Sequence, residues 1–134
     1  MIHPCLGGSL RGACVLTMGE PTRDELKTVI EESIVLFEKG RYFECHEVLE
    51  QIWLHLKGLE RHFLAGLILL AAAMHKSHMQ RNPRAARLLY ARAVHHLAWI
   101  SDTFHGIDVR GFECAVFKAL PHPRVRPSVP RERE

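Results

Sequence analysis

Within Phe37–Trp53, FEKGRYFECHEVLEQIW, a single helical turn gathers His46, Glu47 and Glu50 between aromatic residues. On a helix, positions i and i+4 share a face, so His46 and Glu50 would stand about 6 Å apart. An imidazole beside a carboxylate can bind a divalent ion, move a proton, or tie one helix to another by hydrogen bonding. Tyr42 and Trp53 flank the pair and offer packing or stacking surface. The candidate cluster is Tyr42, His46, Glu47, Glu50 and Trp53.

A metal would need a third ligand. His75 or His78 could supply one from the following helix, with His62 a poorer choice, so the alternative metal set is His46, Glu50, His75 and His78. His46-Glu47-x-x-Glu50 carries a glutamate where H-E-x-x-H zincins carry their second histidine. The two Glu-x-x-His pairs of a di-iron carboxylate bundle are missing as well. For acid–base chemistry, Thr28, Ser33 and Ser77 are the nearest hydroxyls, but none sits in a nucleophile elbow and no glycine-rich phosphate loop accompanies them.

The structural reading is that His46, Glu47 and Glu50 bond the second helix to its neighbours, with Tyr42 and Trp53 as anchors and Phe37, Gly40 and Phe43 setting a tight helix corner. Together these residues favour a non-catalytic binding or interaction module without a cofactor, acting on a protein or small ligand. The alternative is a metal-dependent or acid–base hydrolase-like enzyme that uses His46 with Glu47 or Glu50.

The elements that must position the cluster are helical. Thr22-Arg23-Asp24-Glu25 reads as a capping box, and Leu26, Val29, Ile30, Ile34 and Phe37 then recur at helical spacing, predicting a helix over 23–39 that Gly40 ends. A second helix follows from 41 or 42 to about 56, before Gly58. A third, over 59–80, is apolar nearly all round and marks the centre of the fold. Asn82 and Pro83 start a fourth, whose stripe Ala86, Leu89, Tyr90, Ala93, Leu97, Ile100 and Phe104 carries it to Gly106. A fifth covers about 110–120. No sustained period-two alternation points to a sheet, so the class is all-α, a compact bundle of about five helices.

Composition sets the limits. The chain has 134 residues, 47% hydrophobic and 25% charged, which suits one domain. We expect a disordered extension over 1–18, with Met18 as an alternative translation start, one helical domain over 19–120, and a flexible Pro/Arg-rich tail over 121–134 with prolines at 121, 123, 127 and 130. The net charge of +3 is concentrated in that tail and lacks interleaved aromatics, which argues against nucleic-acid binding. Phe63–Met74 is too short an apolar run to span a bilayer, so no membrane role is expected. Cys5, Cys14, Cys45 and Cys114 form no C-x-x-C pair and fit reduced thiols in a cytoplasmic protein, Cys45 as a small core residue. Exposed apolar positions on the first or fifth helix would allow a homo-oligomer.

Phe37-x-x-Gly40-x-Tyr42-Phe43-Glu44-x-His46-Glu47-x-x-Glu50-x-x-Trp53, then Arg61-x-Phe63-Leu64-x-Gly66-Leu67-Ile68 and Asn82-x-x-x-Ala86, resembles the domain of unknown function 309 family over roughly residues 23–120. The resemblance implies an all-α bundle and no established activity. Three departures accompany it. Ala65 and Leu69 stand where the family has glutamines, which reduces any polar pocket on that helix. Arg81-Asn82 replaces Gly-Asn. The segment before that turn is one residue longer, which leaves the register of His75 and His78 open.

Overall fold

The computed structural model of the chain describes residues 19–132. The extension expected over 1–18, and with it the reading of Met18, lies outside the described residues. Among the described residues, five α-helices make up the fold: α1 (Arg23–Glu38), α2 (Tyr42–Trp53), α3 (Gly58–Met74), α4 (Pro83–Leu97) and α5 (Val109–Ala119). The all-α expectation holds, with the third helix at its centre. Phe63, Leu64, Leu70, Ala71, Ala73 and Met74 of α3 are wholly buried, and α2 and α4 each pack against α3, while α1 packs against α2.

Local chemistry explains where these helices start and stop. Thr22 and Glu25 bond reciprocally, Glu25 N–H donating to Thr22 Oγ1 at 3.1 Å and Thr22 N–H to Glu25 Oε1 at 2.8 Å. At the other end of α1, Gly40 takes φ +79°, its N–H donates to Phe37 O, and Arg41 N–H donates to Leu36 O. That double closure needs a left-handed residue, which glycine supplies without steric cost. It turns the chain sharply into α2, so Gly40 ends the helix as its position implied. Asn82 caps α4 by accepting from Ala85 N–H at 3.1 Å.

Two boundaries depart from the sequence reading. The first concerns the end of α4, at Leu97 and not near Phe104, because Arg110 from α5 donates through Nη2 to Leu97 O and Ile100 O, both at 2.7 Å. Leu97 O also accepts from Ile100 N–H at 3.0 Å, so the turn that closes the helix is held by both donors. Beyond them lies a small antiparallel hairpin, β1 (Thr103–Phe104) and β2 (Ile107–Asp108). His105 and Gly106 both have positive φ, +50° and +79°, which is the two-residue type I′ turn of a tight hairpin. Gly106 therefore serves a strand turn and not a helix end, and a two-residue strand is too short to show alternation.

The second departure follows α3. Residues His75–Met79 form a π-helical turn, the geometry that one extra residue in a helix produces. It changes the register between His75 and His78 from that of an α-helix.

Residues 121–132 carry no helix, as four prolines require, but they are not outside the core. Val129 is 4% exposed and Pro127 is buried. Val129 N–H donates to Glu38 Oε2 at 2.9 Å, Arg126 Nη1 donates to Lys39 O at 2.6 Å, and Arg131 pairs in bidentate fashion with Glu31 at 2.6 and 3.2 Å. Asp108 N–H donates to Pro130 O and Glu132 N–H to Gly106 O, so the segment runs beside β2 as an added edge. Composition alone gave it no place in the core. Its buried apolar positions and arginine partners provide one.

Candidate functional site

Helix α2 buries Tyr42, Cys45, Leu49 and Ile52, spaced at three and four residues, and turns Phe43, Glu47 and Glu50 outward. The predicted cluster is thereby divided. Tyr42 is 2% exposed, edge-on to Phe37 at 5.1 Å, and its buried hydroxyl has no hydrogen-bond partner among the described residues. Burial pushes its pKa up, so it stays a neutral phenol. Cys45 is buried in the same way, with its thiol pushed up to about 12 by desolvation, which makes it a core residue.

Trp53 belongs to the α2–α3 corner. Its indole Nε1 donates to Arg61 O at 3.1 Å, while the Arg61 guanidinium lies 4.1 Å above the ring and Arg61 Nη1 donates back to Leu56 O at 3.3 Å. A cation over an indole face plus reciprocal hydrogen bonds fixes this corner. The tie between α2 and its neighbour thus comes from Trp53 and Arg61, and not from Glu47, which is exposed to solvent.

His46 Nε2 lies 3.4 Å from Glu50 Oε2, so the i, i+4 pair forms as its spacing implied. Glu50 remains half exposed at 52%, and His46 Nδ1 is buried without a hydrogen-bond partner among the described residues. Phe43 stacks on the His46 ring at 5.7 Å and touches His75 at 5.5 Å, yet it is 50% exposed. Phe43 does not pack into the helix corner that the sequence suggested. The signal that places it outside was available: it sits one residue beyond Tyr42, off the buried Tyr42–Cys45–Leu49–Ile52 stripe and in line with Glu47 and Glu50.

The histidines of the π-helical turn diverge. His75 comes to Phe43, with Gln80 Nε2 3.3 Å from its Nε2; burial, then Lys76 and His46, hold its pKa below the ordinary value. His78 turns to α5 instead, its Nε2 donating to Ala119 O at 2.8 Å, beside the Ser77 hydroxyl that donates to Leu120 O. The two side chains cap the end of α5. His78 therefore stands apart from the His46–Glu50–His75 group, and among the described residues no three His, Cys, Asp or Glu side chains converge as metal ligands would. His62 faces α4, its Nδ1 3.2 Å from that of His96 and its ring stacked on Trp99 at 5.8 Å.

Of the hydroxyls, Ser33 is buried and donates to Ile30 O at 2.7 Å, Ser77 is engaged at α5, and Thr28 is exposed on α1. None is placed to pass a proton to His46.

No helix among the described residues is long and apolar enough to cross a membrane. No curated protein matches the chain. The family described as "Domain of unknown function (DUF309)" matches residues 30–89, a stretch that runs from α1 through the cluster on α2 and the whole of α3 into α4. Over residues 30–89 the chain is therefore similar to the DUF309 family, whose function is uncharacterised.

Proposed function

We propose that this domain is a non-catalytic binding module whose working surface is the outward face of α2, made of Phe43, His46, Glu47 and Glu50 and joined by His75. One observation carries the reading: Phe43, a large apolar ring, is held half exposed between two imidazoles beside two solvent-facing carboxylates. An exposed aromatic held rigid by its neighbours is the usual anchor of an interface, and the carboxylates beside it select charge. The complementary partner presents an apolar side chain flanked by lysine or arginine.

The orientation of His46 supports binding over catalysis. A catalytic imidazole has its carboxylate behind it and its free nitrogen toward substrate. Here the carboxylate sits on the outer nitrogen, and the inner nitrogen points into the fold. Tyr42 and Trp53 support the surface from within.

Selection from a random peptide library tests this. Peptides that combine an apolar anchor with Lys or Arg should be enriched on the natural protein and lost on Phe43→Ser and Glu47→Lys/Glu50→Lys variants. Binders indifferent to all three substitutions would overturn the assignment of the surface.

A further inference from the structure

The partner chemistry just described is present on the molecule itself. Residues 61–101 contain Arg61, Lys76, Arg81, Arg84, Arg87 and Arg92 and no Asp or Glu, whereas residues 19–60 contain ten Asp/Glu against five Lys/Arg. Charge is therefore segregated along a chain whose net charge is only +3. The acidic part builds α1 and α2, and the cationic part builds α3 and α4.

The exposed faces of α2 and α4 match residue for residue. On α2, Phe43, Glu47, Glu50 and Leu54 are exposed at positions i, i+4, i+7 and i+11; on α4 and its C-terminal turn, Leu88, Arg92, His95 and Trp99 are exposed at the same four positions. The order is apolar, acidic, acidic, apolar on one helix and apolar, cationic, His, apolar on the other. The apolar members are unusually open for their size: Leu54 66%, Leu88 63% and Trp99 64%. Among the described residues, Glu47, Arg92 and His95 have no ion-pair partner.

Both stripes span about 16 Å at the helical rise, and each ends in the turn that follows its helix, at Leu54 directly after α2 and at Trp99 two residues after α4. The 4–3–4 spacing also reads the same in reverse, so parallel or antiparallel docking sets each carboxylate against a cationic or imidazole side chain. Trp99 is held in place by the stacked His62 ring.

We infer that the α2 face of one copy docks on the α4 face of a second copy, so that the protein associates head to tail. This rests on the binding reading of the α2 surface and names its partner. The two faces differ, so the contact is heterologous and propagates into a ring or an open chain rather than stopping at a symmetric dimer. Two helix stripes make a contact at the small end of specific interfaces, so the association is weak, salt-sensitive and visible only in concentrated solution.

Sedimentation velocity on the full chain, up to about 0.5 mM at low salt and again at about 0.5 M NaCl, tests the idea. Mean sedimentation should rise with concentration at low salt and fall to the monomer value at high salt. Glu47→Lys/Glu50→Lys and Arg92→Glu/His95→Glu should each weaken association about tenfold or more while leaving the far-ultraviolet spectrum unchanged. An equimolar mixture of the two should recover association, with the variants alternating, because both pairings of faces between unlike chains are complementary and neither pairing between like chains is. Phe43→Ser and Leu88→Ser should dissociate the assembly without changing charge. A natural protein that stays monomeric throughout, variants that associate as it does, or a mixture that stays monomeric would each overturn the proposal. If self-association fails while selected peptides still need Phe43, the α2 surface stands with a different partner; if both fail, the surface itself is wrong.

Discussion

Gly66 of α3 lies against Leu97 of α4 so closely that an added Cβ would stand 2.4 Å from both Leu97 Cγ and Leu97 Cδ2. Leu97 is wholly buried and Cγ is its branch point, so the whole side chain must move to admit a methyl group. Overpacking of this kind costs up to about 3 kcal/mol. Alanine returns about 1 kcal/mol of helix propensity, leaving Gly66→Ala destabilising by about 2 kcal/mol. Leu97→Ala alone should cost about 3 kcal/mol, as large-to-small core changes do. In the double variant the clash is gone and the new methyl group occupies space that Leu97 left, so Gly66→Ala becomes stabilising by about 1–2 kcal/mol, from propensity plus one buried carbon. The sign of one substitution should thus reverse with its background, a coupling of about 3–4 kcal/mol. Urea unfolding of the four proteins at constant m-value measures it. A Gly66→Ala effect of the same sign in both backgrounds would refute the claim that α3 and α4 meet at this glycine.

Arg81 sits at φ +54° where a glycine would be unstrained. Arg81→Gly should stabilise by roughly 0.5–1 kcal/mol after the entropy of the freer unfolded chain is counted, while Arg81→Ala should give no gain; thermal melts of the two variants decide it. Arg110→Met leaves the Leu97 and Ile100 carbonyls without their charged donor and should cost about 2 kcal/mol, read as a lower urea midpoint. Burial and neighbouring cations hold His75 below the ordinary imidazole value of 6.5, and burial, then His62, His95 and Arg92, do the same for His96. The unfolded chain then binds more protons, so stability is full above about pH 6.5 and falls as pH drops through the folded values. Urea midpoints between about pH 7.5 and 5 should flatten in a His75→Gln/His96→Gln variant; an unchanged slope would show that other groups govern it.

Much of the fold was legible because its signals are local. The Thr22–Glu25 box, Gly40 and Asn82-Pro83 each fix a helix end through neighbours within a few residues, and α3 declared itself by being apolar all round. What was hidden depends on residues far apart. Nothing near Leu97 says that Arg110 will take its carbonyl, so the periodicity alone carries α4 on to Phe104. In the same way, Val129 looks like part of a solvated tail until Phe37, Ile107 and Phe112 leave a gap beside it. In the candidate site, the His46–Glu50 pair followed from spacing alone. The parting of His75 and His78 did not, because a π-helical turn changes the register that such spacing assumes.

The segment from Arg126 to Glu132 also bears on folding kinetics. Contacts among α1 to α4 join helices that are neighbours in the chain, so they close short loops at small entropic cost. The Arg131–Glu31 pair joins residues 100 apart. Such a contact is rewarded only after the helices are in place, so it belongs on the native side of the folding barrier. Weakening it should leave the folding rate nearly unchanged and raise the unfolding rate. The strap thereby acts as a latch that sets how long the folded molecule lasts, while the helices set how fast it forms.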